Sequence, residues 1–230
     1  MRQPPTRIWC LRHGHSENVT AGAAGVLPGA RLTALGRQQA ALAATRLAGE
    51  GLAAVYVSDA VRARATGAAL AAAGAPGLEV TVLPGLGEVG VGAAEGSTEP
   101  AVLARTAEVL HAWVVRRDLA PRVADGEDGH AVLARMRAAV EGVVADHPGR
   151  TVALVGHVAS LTAVVSELCG GLGAEVWGAP LPHAEPFLVQ WDGRGWSCTR
   201  WPWPGCSAGA RVGWRAAGDG GRWVRAGPGR

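Results

Sequence analysis

The chain has 230 residues, enough for one domain with a real core and no need of disulfide or metal staples. Nearly half of it is hydrophobic (48%) but only 5% is aromatic, so Ala, Val and Leu must fill the interior, and Ala-rich helix faces suit close packing on a sheet. The net charge of +3 comes from Arg without any Lys; the Arg residues are scattered rather than striped, which argues against a nucleic-acid surface.

In chain order, Arg7 to Leu11 is a short apolar run that reads as a buried strand opening into Arg12-His13-Gly14. Residues 14–34 are rich in Gly, Pro and Ala and read as loop. Thr33 can cap a helix from about Leu35 to Gly49, with Leu35, Ala40, Leu42 and Leu47 as its apolar residues. Ala53 to Val57 is a second strand, and Asp59 can cap a helix from Val61 to about Ala73. Leu78 to Leu83 is a third strand, followed by a Gly-rich loop over residues 84–96. A helix is predicted over 98–118 and another over 129–146, the latter stopped by His147-Pro148-Gly149. Thr151 to Val155 is a strongly apolar strand, with His157 and a helix from Ser160 to Leu168 behind it. Phe187–Trp191 and the run 196–200 flank Asp192-Gly193-Arg194-Gly195 and read as a hairpin. Beyond about Trp203 the periodicity ends, and residues 203–230 read as a flexible tail carrying Trp214 and Trp223.

Strands alternating with helices, the central strands apolar throughout, predict an α/β fold: a three-layer α/β/α sandwich with a mostly parallel sheet in residues 1–202. Sites in such folds lie at the carboxyl ends of the strands, where both His13 and His157 fall. Cys10, Cys169, Cys198 and Cys206 have no CxxC spacing and read as reduced thiols, and the start of the chain lacks the apolar stretch of a signal peptide. With no apolar run long enough to span a bilayer, the expectation is a cytoplasmic protein without membrane or nucleic-acid partners.

The polar groups that stand out follow strands or open helices: Arg12 and His13, Arg62, Glu88 and His157. Phosphoryl transfer needs this set. His13 supplies an unprotonated nucleophile. Arg12, Arg62 and a protonated His157 neutralise the equatorial oxygens, and Glu88 protonates the leaving oxygen. Arg suits the task because its planar fork reaches two oxygens at once. Taken singly, each has a plainer reading: a structural histidine at a strand end, a surface arginine, a solvated loop carboxylate.

The chain resembles the histidine phosphatase superfamily, also called the phosphoglycerate mutase-like family, from about Ile8 to Trp201. Leu11-Arg12-His13-Gly14-His15-Ser16 is similar to its opening RHGxS, and Leu32-Thr33-Ala34-Leu35-Gly36 with Gln39-Ala40 to its LTxxGxxQA helix start. Ser58 to Thr66, with Arg62, resembles the SxxxRAxxT segment, and Leu86 to Gly96, with Glu88, resembles LxExxxGxxEG. Gly126-Glu127 with Arg135, and Val155-Gly156-His157, complete the order. The resemblance implies a phosphohistidine at His13, water activated by Glu88, and phosphate contacts from Arg12, Arg62, Asn18 and Ser16. It also implies no metal or other cofactor, a small phosphorylated substrate, and a small helical cap inserted after Gly96, about 97–128.

Three positions depart from the pattern. Asn18 lies one residue nearer to His13 than the family's asparagine, Val158 stands where a glycine usually follows the second histidine, and His15 replaces a common Glu or Gln. Rival readings are a phosphoglycerate mutase, for which the insertion is short and lacks Lys, and a catalytically weak phosphate-binding protein. A zinc site built on His13, His15 and His157 would need a carboxylate or Cys at ligand spacing, and none is nearby. Arg116, Arg117 and Arg122 in the insertion are candidates for a second anionic group of the substrate.

Overall fold

The computed structural model describes residues 4–170, 172, 176–177, 180–199 and 201–202, and the backbone of 214–216 and 223–225. Its centre is a six-stranded sheet in the order β3-β2-β4-β1-β5-β6. Strands β1 (Thr6–Arg12), β2 (Leu52–Val57), β3 (Val80–Val82) and β4 (Thr151–Gly156) run parallel, while β5 (Phe187–Trp191) pairs antiparallel with β1 and β6 (Trp196–Cys198) antiparallel with β5.

The period of two that defines a strand decides the layers. On β1, Ile8 and Cys10 enter one core with Tyr56, Val152 and Leu154, while Trp9 and Leu11 enter the other with Val55, Val57, Ala153 and Val155. Helices α2 (Ala34–Leu47) and α3 (Val61–Ala73) cover the second face; α5 (Gly129–Asp146) and α6 (Val158–Leu168) cover the first. The sandwich expected from sequence is therefore the observed one. Small residues let α3 lie on the sheet: a Cβ added at Gly67 would stand 2.3 Å from Val57 Cγ1.

Several local expectations shift. A short helix α1 (Glu17–Ala21) interrupts the predicted loop, and 3-10 turns at Pro84–Leu86 and Gly92–Ala94 shape the second one. Thr33 does cap α2, accepting from Gly36 N at 3.1 Å. Ala60, not Asp59, is the N-cap residue of α3. Leu35 and Leu42 are exposed (51% and 54%), because Gly36, Ala40, Ala43, Ala44 and Leu47 form the buried face of α2 instead. The helix predicted over 98–118 is α4 (Pro100–His111) continued by a π-helical turn, Ala112–Arg116, ended by Arg117 at φ 58°. That widened turn buries Ala112, Trp113 and Val114 in succession, alongside Val109. The predicted cap thus contributes to the same core as Val132, Met136 and Val140 of α5. In the expected tail, Trp214–Ala216 (β7) and Trp223–Arg225 (β8) pair as a short antiparallel ribbon; the rest of 203–230 lies outside the described residues. Among the described residues no helix is long and apolar enough to cross a membrane.

Candidate active site

The parallel strands place their carboxyl ends together, and the singled-out residues meet there. His13 follows β1, and its N–H donates to Gly156 O at 3.0 Å, extending the β1–β4 ladder into the loop. Its Nδ1 lies 2.7 Å from Gly14 O, and Arg62 Nε donates to its Nε2 at 3.0 Å. A carbonyl can only accept and a guanidinium can only donate, so the proton sits on Nδ1 and the lone pair on Nε2. That is the tautomer a nucleophilic imidazole needs. Burial first, then Arg62 and Arg12, hold His13 well below its ordinary pKa, so the ring stays neutral.

His157, the N-cap residue of α6, is fully buried. Its Nδ1 faces Arg62 Nη2 at 3.2 Å and its Nε2 faces Ser58 Oγ at 2.7 Å. By the same logic Nδ1 is the acceptor and Nε2–H donates to Ser58. Burial, then His13, Arg62 and Arg12, push His157 well below the usual histidine value, so the resting ring is neutral. The rings of His13 and His157 are 5.0 Å apart, edge to face.

The two cations enclose these rings. Arg62, 1% exposed, also donates to Leu27 O at 2.7 Å and Val26 O at 2.8 Å, so the segment after α1 lies directly over its fork. Leu27 holds φ 36° there, a strained value for a side chain of that size. Asp59, not used as a cap, is one of the charges that favour the Arg62 cation. Arg12 donates to Leu181 O at 3.1 Å, and its Nε is buried without a hydrogen-bond partner among the described residues. Burial, partly offset by Glu88 and reinforced by Arg62, lowers Arg12 to about 10. An orphaned cationic donor among crowded positive charge is a setting that an anion would complete.

Glu88 is docked on the start of α6. Its Oε1 accepts from Val89 N and Ser160 N, both at 3.0 Å, and its Oε2 from Ala159 N at 3.2 Å. Those helix N–H groups have no intrahelical partner, so a carboxylate satisfies them and gains from the helix dipole. The loop that carries Glu88 is braced by Arg135, which donates to Gly85 O, Gly87 O and Glu88 O and pairs with Glu127 at 2.7 Å. Glu127 in turn accepts from Gly90 N. Val158 packs against the apolar core.

Other predicted residues fall outside this hydrogen-bonded centre. Ser16 donates to Asn18 Oδ1 at 2.7 Å, forming a pair of its own, and neither side chain bonds to His13, Arg12, Arg62 or His157. Asn18 lines an open groove of about 420 Å³ with Ala21, Leu27 and Pro28. Glu95 anchors loops, accepting from Val26 N and Val91 N. Arg117 pairs with Glu167, Arg122 with Asp128, and Arg116 lies beside His111. Among the described residues no three His, Cys, Asp or Glu side chains are grouped as a metal would need. One residue escaped the sequence reading: His183, whose ring centroid is 5.7 Å from that of His13 and 5.3 Å from that of His15. The signal for it was topological. An antiparallel β5 beside β1 enters the sheet at the carboxyl end of the parallel strands, which brings the residues just before Phe187 to the site.

A mostly parallel sheet thus delivers a neutral imidazole, two arginines, a second imidazole and a carboxylate to one end. The chain belongs to the histidine phosphatase superfamily (branch 1), which it matches over residues 8–204. It is similar to a native structure of mycobacterial glucosyl-3-phosphoglycerate phosphatase, at 28% identity and TM-score 0.71, covering 86% of this chain and 99% of that one. The structure of that enzyme with VO3 matches at 27% identity and TM-score 0.70, over 87% of this chain and 99% of the other. The Bacillus stearothermophilus protein YhfR shares the fold at 24% identity and TM-score 0.71, covering 84% of this chain and 95% of its own. A bifunctional protein of Mycobacterium tuberculosis is 33% identical over 157 residues, which are 68% of this chain but 42% of the relative, so the chain spans under half of that protein's length.

Proposed function

We propose that the protein is a metal-independent phosphatase that hydrolyses a small phosphate monoester through a phosphohistidine on His13. The observation that carries this reading is the fixed tautomer of His13, with its Nε2 lone pair buried among Arg62, Arg12 and His157. A phosphoryl group arriving at Nε2 takes the place of the Arg62 Nε contact, and Arg62 turns its fork from the Val26 and Leu27 carbonyls to the phosphoryl oxygens. Arg12 supplies its unpartnered Nε–H, and His157 gains a proton as the dianion offsets the surrounding positive charge. Nε2 attacks phosphorus as the P–O bond to the alcohol breaks, and Glu88, which takes up a proton as substrate binds, delivers it to the departing oxygen. Glu88 then takes a proton from water as that water attacks the phosphohistidine, and the P–N bond breaks to restore His13. Ser16 and Asn18 reach the phosphate in this reading once their mutual hydrogen bond opens. The relatives solved with VO3 and with inorganic phosphate support an oxyanion ligand of this shape.

The test is His13→Ala with trapping of labelled phosphoenzyme during turnover of a panel of phosphorylated metabolites. Turnover and trapped label are both expected to disappear. Undiminished turnover in the variant would overturn the mechanism.

A further inference from the structure

Along the loop that carries the nucleophile, successive main-chain groups are held by named partners. Arg12 O accepts from Ala184 N at 2.9 Å, His13 N donates to Gly156 O, Gly14 N donates to Thr66 Oγ1 at 3.1 Å, and His15 N donates to Gln39 Oε1 at 2.8 Å. The carbonyl of His13 itself is held by a side chain, His183 Nδ1, at 3.0 Å. We infer that His183 is a positioning residue for the nucleophile: its Nδ1–H fixes the His13 peptide and so aims Nε2 at phosphorus.

Three observations carry this. First, residues 181–184 lie along the open side of β1 where β4 does not reach: Arg12 bridges to His183, Leu181 O accepts from Arg12, and Ala184 N donates to it. The Arg12-His13 segment is thereby gripped from both sides, by β4 and by this stretch. Second, the ring can play only one part toward a carbonyl, that of donor at Nδ1. Burial, then Arg12, lowers His183 to about 4, which keeps the ring neutral with its one proton there. Third, His13 is 3% exposed, so a released carbonyl would have no water to turn to and the peptide would tilt in search of a donor. The imidazole would tilt with it. No hydrogen bond reaches His183 Nε2 among the described residues, which leaves Nδ1 as the working atom.

This inference rests on the phosphatase reading, and its test separates the two. Asn carries an N–H at the position of Nδ1, whereas Gln carries one nearer to Nε2. His183→Ala and His183→Gln are expected to lower kcat by roughly 10- to 100-fold with KM changed less than about twofold, and His183→Asn to restore most of kcat. Rescue by Gln and not by Asn would overturn the inference in favour of a contact from Nε2, and wild-type kcat in every variant would overturn it outright. Imidazole nitrogen NMR of His13 gives a reading free of turnover. The Nδ1–H signal held by Gly14 is expected to persist in wild type and His183→Asn and to broaden in the Ala and Gln variants; an unchanged signal in all of them would count against the inference. If wild type turns over no phosphate ester, the phosphatase reading fails, while the NMR comparison still decides what His183 does.

Discussion

Two hydroxyl–imidazole pairs bracket the same strand, β4. Ahead of it, His147 Nε2 meets Tyr56 Oη at 2.7 Å; behind it, His157 Nε2 meets Ser58 Oγ at the same distance. Tyr56 and Ser58 share one parity of β2 and its continuation. Locally the pairs are alike, yet their surroundings differ. At the carboxyl end the pair is wholly buried beside Arg12, Arg62 and His13. At the amino end, burial and the nearby Asp146 raise the Tyr56 pKa, and His147 offers its carbonyl to Thr6 Oγ1. The first environment is crowded with buried positive charge; the second keeps a phenol protonated and fastens a helix end to a strand. A histidine–hydroxyl contact is therefore no mark of catalysis until its charged neighbours are counted.

The largest change after loss of His13 is expected from Glu88→Gln, which keeps the shape at the start of α6 but not the transferable proton; kcat should fall by roughly 10²- to 10⁴-fold, read by steady-state phosphate release. Ser58→Ala should lower kcat by on the order of 10-fold or somewhat more, because His157 loses the partner that orients it. Wild-type kcat in that variant would make the two pairs equivalent after all. Stability should also respond to acid. His13, His157 and His183 are all depressed in the fold, so the unfolded chain binds more protons below its histidine pKa of about 6.5. The contribution of these rings is full above that pH and declines as pH falls toward the folded values, about 4 for His183. The urea midpoint should therefore drop between those limits; a flat midpoint would deny that neutral rings are buried. The smallest effect is Tyr56→Phe, expected to leave kcat unchanged and to cost about 1 kcal/mol in denaturant unfolding.

The sandwich and the convergence of His13, Arg62, Glu88 and His157 were legible because His13 and His157 end strands whose apolar runs are plain, Arg62 and Glu88 lie in the segments that follow β2 and β3, and strand ends in a parallel sheet converge by topology. The resting state of His157 was not legible, since its neutrality follows from complete burial and from His13 and Arg62 beside it, residues far apart in the chain. Nor was the lodging of Glu88 on α6, which needs the relative placement of a loop and a helix start. Leu35 and Leu42 misled because leucine was weighted over alanine, whereas the buried face of α2 is made mostly of small residues, Gly36, Ala40, Ala43 and Ala44, with Leu47 as its one large member. His183 has no motif around it and gains meaning only from the direction of β5.

The loop that follows β1 and the first turn of α2 touch backbone to backbone. A Cβ added at Gly14 would meet Gly36 O at 2.4 Å, and one added at Gly36 would meet His15 O at 1.9 Å. The glycines of two separate sequence motifs are thus two halves of one joint, and neither can be enlarged by adjusting the other, because the obstacle on each side is main chain. Anyone grafting this cluster of side chains onto another scaffold would have to carry over the opening turn of α2 together with Arg12-His13-Gly14, as a single indivisible part.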